Sequence, residues 1–171
     1  MDPQARTSEK ARPLYTAEQR ARRDASPWTL VQGILAPLQF LVFLISLALV
    51  VRFLITGEGL YAATASIVVK TLLLYTIMVT GSIWEKKVFG RYLFAPAFFW
   101  EDAVSMIVIA LHTAYLVALS TDLLGPSGQM AIALAAYAAY VVNAAQFILK
   151  LRAARMQEAG DARLGRWEPA Q

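Results

Sequence analysis

Four runs of apolar residues divide the chain. Each is long enough to cross a bilayer, whose hydrocarbon core of roughly 30 Å takes about 20 helical residues. The first centres on Leu35 to Val51 and holds no charge; the second runs from about Ala62 to Trp84, with Lys70 as its one charge. The third spans about Ala103 to Leu119, uncharged apart from the titratable His112, and the fourth about Met130 to Leu149. The polar links are short, so neighbouring helices are expected to run antiparallel. The pattern predicts an all-α integral membrane protein with four transmembrane helices in an antiparallel bundle, occupying residues 28–150. Ahead of it, Thr16 followed by Gln19 is a capping-box signature for a short polar surface helix, Ala17 to Ala25, ended by Ser26-Pro27. Residues 1–27 read as an N-terminal tail carrying that helix. Residues 151–171 are small, charged and Gly-containing, and read as a disordered tail. Gly57-Glu58-Gly59 and Gly125-Pro126-Ser127-Gly128 mark the two turns at the other end.

The charge distribution orients this arrangement. The N-terminal tail holds Arg6, Lys10, Arg12, Arg20, Arg22 and Arg23, the link between the second and third helices Lys86, Lys87 and Arg91, and the C-terminal tail Lys150, Arg152, Arg155, Arg163 and Arg166. Only Arg52 and Lys70 fall elsewhere, and the link between the third and fourth helices has Asp122 without Lys or Arg. By the positive-inside rule both termini and the middle link are expected to be cytoplasmic. The net charge of +4 is thereby assigned to membrane topology, not to nucleic acid. The segment before Trp28 is polar, so the first helix is expected to serve as an uncleaved anchor and not as a signal peptide.

Composition narrows the chemistry. Hydrophobic residues make up 58% and charged residues 16%, against about a quarter charged in soluble domains. With no cysteine and a single histidine, thiolate catalysis, disulfides, iron–sulfur clusters and multi-histidine metal sites are excluded. What remains is chemistry by carboxylates, hydroxyls, amides and one imidazole, with no metal site of the protein's own.

Each helix carries one polar stripe: Gln32, Gln39 and Ser46 on the first, Thr71, Tyr75, Met78, Ser82 and Glu85 on the second, Glu101, Ser105 and His112 on the third, and Tyr140, Asn143 and Gln146 on the fourth. Polar groups facing lipid are costly, so the stripes are expected to turn inward. For the Gln and Ser positions interhelical hydrogen bonding is the simpler reading; for His112 a structural bond and a ligand role are both open. Lys70 has no acid at matching depth and is read as snorkelling outward, with pairing to a ligand carboxylate as the alternative.

The most informative stretch is Ser82 to Asp102. Between Val88 and Trp100 six of thirteen residues are aromatic (Phe89, Tyr92, Phe94, Phe98, Phe99 and Trp100), bracketed by Glu85 on one side and Glu101 and Asp102 on the other. The bland reading is an interfacial aromatic belt with carboxylates at a helix N-terminus. The sharper one is an aromatic-lined pocket at the membrane surface, rimmed by acids and suited to a flat amphiphilic ligand.

The runs Leu14 to Asp24, Pro27 to Gln39, Ser82 to Glu85, Phe89 to Asp102 and Leu111 to Tyr115 resemble the 3-vinyl (in older naming 2-vinyl) bacteriochlorophyllide hydratases of phototrophic bacteria, over roughly Leu14 to Leu119; the fourth helix is generic by comparison. The resemblance implies hydration of a vinyl group on chlorophyllide or 3-vinyl bacteriochlorophyllide to a 1-hydroxyethyl group in bacteriochlorophyll biosynthesis. It implies a place in the bacterial inner, intracytoplasmic photosynthetic membrane and no cofactor, the magnesium being carried by the substrate. Protonation of an unactivated alkene needs an acid, and burial or a neighbouring carboxylate supplies one. Glu101, on the Ser105/His112 face, is the leading acid, with Asp102 or Glu85 to hold and deprotonate the water. Substrate contacts are expected from Tyr75, Ser105, Phe98 and Trp100, from Lys86, Lys87 and Arg91 to the propionate, and from His112 as a ligand of the substrate magnesium. Contact with other enzymes of the pathway and homo-oligomerisation are left open, besides membrane lipid as the surrounding partner. Two other classes compete: a non-catalytic tetrapyrrole-binding assembly protein, which needs no acids, and a small transporter, which needs deep ionisable groups and not acids gathered at one surface.

Overall fold

The computed structural model describes residues 14–164, with five helices: α1 (Ala17–Ala25), α2 (Pro27–Thr56), α3 (Leu60–Phe89), α4 (Phe99–Thr121) and α5 (Pro126–Leu164). There is no strand among the described residues. The four long helices, α2 to α5, are long and apolar enough to cross a membrane. At 1.5 Å per residue the 30 residues of α2 and of α3 are each roughly 45 Å long, so both outrun the hydrocarbon core.

The capping box at Thr16 forms as its sequence predicts: the Thr16 hydroxyl accepts from Gln19 N–H at 3.2 Å and the Gln19 side chain from Thr16 N–H at 2.9 Å. Pro37 lies inside α2, where its ring presses on the carbonyl of residue 33; that residue is Gly33. Gly57 and Gly90, at φ +73° and +83°, close α2 and α3 in the left-handed conformation that glycine adopts without strain.

The long helices form two tight antiparallel hairpins, α2–α3 and α4–α5, which meet each other along the looser α3–α4 and α2–α5 seams. The buried centre holds Phe43, Val50, Ile67, Leu74, Val108, Tyr115, Met130 and Tyr137, while Leu, Ile and Val side chains are exposed around the outside. The polar stripes turn inward as expected: Gln39, Ser46, Thr71, Glu85, Ser105, His112 and Asn143 are all buried.

Two expectations are corrected. Of the tail read over residues 151–171, Leu151 to Leu164 continues α5, because it is rich in Ala, Arg and Leu, which favour helix, and Ala154 is buried beside Tyr15, Val88 and Phe98; residues 165–171 lie outside the described residues. Lys70 does not snorkel; it is fully buried, held by contacts described below. The basic residues Arg6, Lys10, Arg12 and Arg166 lie outside the described residues.

Candidate active site

The termini of α3 and α4 meet at the end of the bundle that also carries α1 and the distal part of α5. The link between them, residues 90–98, folds back over the junction. Phe94 takes φ +57°, a left-handed conformation that costs a non-glycine residue of order 1 kcal/mol. That conformation aims two successive backbone amides at two carboxylates. Phe94 N–H donates to Asp102 Oδ2 at 2.7 Å, and Ala95 N–H donates to Glu85 Oε1 at 3.1 Å. Glu85 and Asp102 are both buried, and their side chains are within hydrogen-bonding contact of each other. Only a protonated carboxyl donates, so this contact is a hydrogen bond when one member of the pair holds a proton.

Glu101 has a different partner. Its Oε2 lies 2.6 Å from Lys150 Nζ on α5, and the same ammonium donates to Ala97 O and sits 5.0 Å from the centre of the Phe98 ring. Asn143 Nδ2 donates to Glu101 O at 2.9 Å, and the Ser105 hydroxyl donates to that carbonyl at 2.8 Å and lies 3.2 Å from Asn143 Oδ1. Glu101 is thus ion-paired with Lys150, whereas Glu85 and Asp102 have each other and two link amides as partners. Lys150 was missed as a site residue because its charge suits the topology rule equally well. The signal that identifies it is spacing: it lies seven residues beyond Asn143, on the same face of the last helix.

The aromatic residues divide into two sets. Tyr15, Trp84, Phe89, Phe98 and Phe147 pack on one another with ring centres 5.7–6.4 Å apart. Phe98 is only 4% exposed, so the expected aromatic pocket is filled by its own side chains, and Phe98 is a core residue here. The second set faces outward: Tyr92, Phe94, Phe99 and Trp100 are exposed, Trp100 at 70%, and Phe94, Phe99 and Trp100 form a run of rings 5.5–5.6 Å apart. Because Phe94 and Ala95 bond the carboxyl pair, this open aromatic face adjoins it directly. Lys86, Lys87 and Arg91 are exposed at the same end, Lys86 with its ammonium on Gly90 O at 2.9 Å and 5.3 Å from the Tyr92 ring centre.

Of the residues singled out in the sequence, Glu85, Glu101, Asp102, Ser105, Trp100, Lys86, Lys87 and Arg91 come together at this end. Tyr75 and His112 do not. The Tyr75 hydroxyl bonds Thr113 Oγ1 at 2.7 Å, further along the α3–α4 seam. His112 lies eleven residues beyond Glu101, roughly 16 Å along α4. Its Nδ1 bonds Val108 O at 2.8 Å and its Nε2 lies 3.2 Å from Lys70 Nζ, so both ring nitrogens have protein partners and no lone pair is left for magnesium. A cleft of about 500 Å³ lies on the same seam, lined by Val68, Thr113, Leu116, Val117, Leu119 and Ser120, but it is apart from the acids.

Four spanning-length helices, with a buried carboxyl pair beside exposed aromatics at one end, define an all-helical membrane protein. The family of 2-vinyl bacteriochlorophyllide hydratases matches residues 15–153, and the chain belongs to that family. It is 72% identical over 149 residues to the 2-vinyl bacteriochlorophyllide hydratase of Rhodobacter capsulatus, covering 86% of each chain. With the protein of the same name from Cereibacter sphaeroides it shares 74% identity over 146 residues, 85% of this chain and 90% of the relative. The family match runs into α5 and past Lys150, further than the resemblance seen in the sequence. No solved structure matches the chain.

Proposed function

We propose that this protein hydrates the C3-vinyl group of chlorophyllide or 3-vinyl bacteriochlorophyllide to a 1-hydroxyethyl group, as a hydro-lyase of bacteriochlorophyll biosynthesis. The observation that carries the reading is the buried Glu85–Asp102 pair, roofed by the Phe94 and Ala95 amides next to exposed rings, in a chain of the vinyl hydratase family. The macrocycle packs against Phe94, Phe99 and Trp100, whose rings are tilted or edge-on to one another, through face and edge contacts that offset its removal from lipid and water, and its propionate meets Lys87 and Arg91. The protonated member of the pair gives its proton to the terminal vinyl carbon. The alkene π electrons form the new C–H bond, leaving cationic character on the carbon attached to the ring, where conjugation spreads it. Water adds to that carbon and surrenders a proton to the carboxylate just formed, which restores the single shared proton. One water is consumed with no net proton change, so the reaction as written needs no cofactor.

Glu101 acts indirectly in this scheme. Paired with Lys150 it adds little net negative charge beside the dyad, so the shared proton stays available for transfer. Membranes holding the protein, incubated with chlorophyllide in oxygen-18 water, are expected to yield a product heavier by one labelled water in mass spectrometry. Pigment bound without that gain would leave the assembly-protein reading in its place.

Charge supports the orientation: the end carrying the site also carries Lys86, Lys87, Arg91, Lys150 and the basic residues of α1, as the positive-inside rule expects of the cytoplasmic face of a bacterial inner membrane. An accessibility tag inserted after Ser127 is therefore expected to react with an impermeant reagent only from the periplasmic side. Labelling from the cytoplasmic side would reverse the topology.

A further inference from the structure

Deep in the bundle the catalytic scheme leaves one group unused. Lys70 and His112 are both 0% exposed, with Lys70 Nζ 3.2 Å from His112 Nε2. Since His112 Nδ1 is directed at Val108 O at 2.8 Å, that nitrogen carries the hydrogen and Nε2 accepts from the ammonium. The ammonium also lies 4.0 Å from the Tyr140 ring centre, 5.3 Å from Tyr137 and 5.8 Å from Phe43. No carboxylate pairs with it among the described residues. This cage draws on every long helix: Phe43 from α2, Lys70 from α3, His112 from α4, and Tyr137 and Tyr140 from α5.

A lysine amine in hydrocarbon is costly wherever it lacks partners, so the cage constrains how the hairpins can sit. Apolar helix surfaces define register poorly, because lipid solvates them as well as a neighbouring helix does. A slip of the α2–α3 hairpin along α4–α5 by one turn, about 5.4 Å, would carry the Lys70 amine away from its acceptor and from the two α5 rings, Tyr137 and Tyr140. The same seam separates the two acids: Glu85 belongs to the α2–α3 hairpin and Asp102 to α4–α5. At the pair itself the Phe94 and Ala95 amides of the link hold each acid by one hydrogen bond, but the carboxyls repel each other whenever both ionise, so a second tie across the seam bears on their contact. The Tyr75–Thr113 bond is a weaker tie, because the Thr113 hydroxyl also bonds Ile109 O at 2.8 Å.

We propose that the Lys70–His112 clasp fixes the register of the two hairpins and so holds Glu85 against Asp102, making Lys70 and His112 positioning residues for the reaction. The inference rests on the Glu85–Asp102 reading of the acid. Lys70 lies fifteen residues from Glu85 on the same helix, roughly 22 Å, so α3 transmits the constraint as a rod. The other charged groups facing the pair, Glu101 on α4 and Lys150 on α5, both belong to the second hairpin and stay with Asp102 if the seam slips.

Lys70→Met alone strands His112, so the test uses Lys70→Met/His112→Leu, which removes both partners together and avoids an unsatisfied buried group. The chain has no cysteine, so a spin-label pair at Val79→Cys and Ile107→Cys, both exposed on α3 and α4, reads the seam directly. The clasp-free protein is expected to show a distance distribution shifted or broadened by about one helical turn, ~5 Å. Its kcat is expected to fall about 10- to 100-fold, the consequence of a misplaced catalytic group, with KM nearly unchanged. The alkaline limb of its pH–rate profile moves to lower pH, because a carboxyl freed from its partner gives up its proton sooner. A role in stability alone would lower the folded fraction without moving that limb. His112→Gln keeps an acceptor for Lys70 and is expected to retain the wild-type distances and pH profile. Wild-type distances and kinetics in the double variant would overturn the proposal, as would a folded His112→Gln protein that is displaced and impaired. Displaced labels with unchanged kinetics would overturn it too, while leaving the acid assignment to be judged separately by Glu85→Gln.

Discussion

Replacing Glu85 by glutamine is expected to lower the hydration rate by about 10²–10⁴-fold, the usual worth of a positioned general acid, with pigment binding largely kept. Glutamine preserves the size of the side chain and can still accept from Ala95 N–H, which donates to Glu85 Oε1 at 3.1 Å. What it lacks is the transferable proton. Asp102→Asn removes the other half of the pair and is expected to cause a loss of the same order. Because the two carboxyls act as a unit, the double variant is expected to lose little more than either single one. Glu101→Gln behaves differently. It breaks the 2.6 Å ion pair with Lys150 and leaves a half-buried ammonium with only its carbonyl and ring contacts, so its main cost is stability. Steady-state rates in detergent, with melting curves on the same preparations, separate the cases. A Glu85→Gln protein near wild-type activity, with the largest loss at Glu101→Gln, would return the acid to Glu101.

That distinction marks where the sequence stops being legible. The long helices follow from apolar runs and turn residues, and the inward side of each follows from its polar stripe, because lipid penalises any other arrangement. The three acids are visible too, gathered around one link. Their roles are not, because a role depends on the partner, and the partners come from distant positions: Lys150 is 49 residues from Glu101. Periodicity likewise places Lys70 and His112 on helices without showing that they meet across a seam 42 residues apart. The link itself is the least readable element. Nothing in Gly90-Arg-Tyr-Leu-Phe-Ala-Pro-Ala-Phe98 announces that Phe94 adopts a left-handed conformation, which only the carboxylates waiting for its amide explain. Aromatic content was legible, but the direction of each ring was not.

Those directions predict opposite consequences for two neighbouring aromatics. Phe98→Ala is expected to destabilise the protein by about 3–5 kcal/mol, the range for deleting a buried aromatic. The Phe98 ring is 4% exposed and stands between Tyr15, Trp84, Phe89 and Phe147, under the Lys150 ammonium. Its loss opens a cavity where α1, α3, α4 and α5 meet, and loosens Lys150 from Glu101. Trp100→Ala removes a ring that is 70% exposed and packs edge-on to Phe99, so the melting temperature is expected to stay close to wild type. Its cost falls on substrate binding: a stacked aromatic of this kind contributes about 0.5–1.5 kcal/mol beyond the area it covers, so KM rises while kcat is kept. Thermal melts paired with pigment titrations read both effects on the same samples. If Phe98→Ala weakens pigment binding at unchanged stability, the packed rings open to admit the macrocycle, and the docking face proposed on Phe94, Phe99 and Trp100 is wrong.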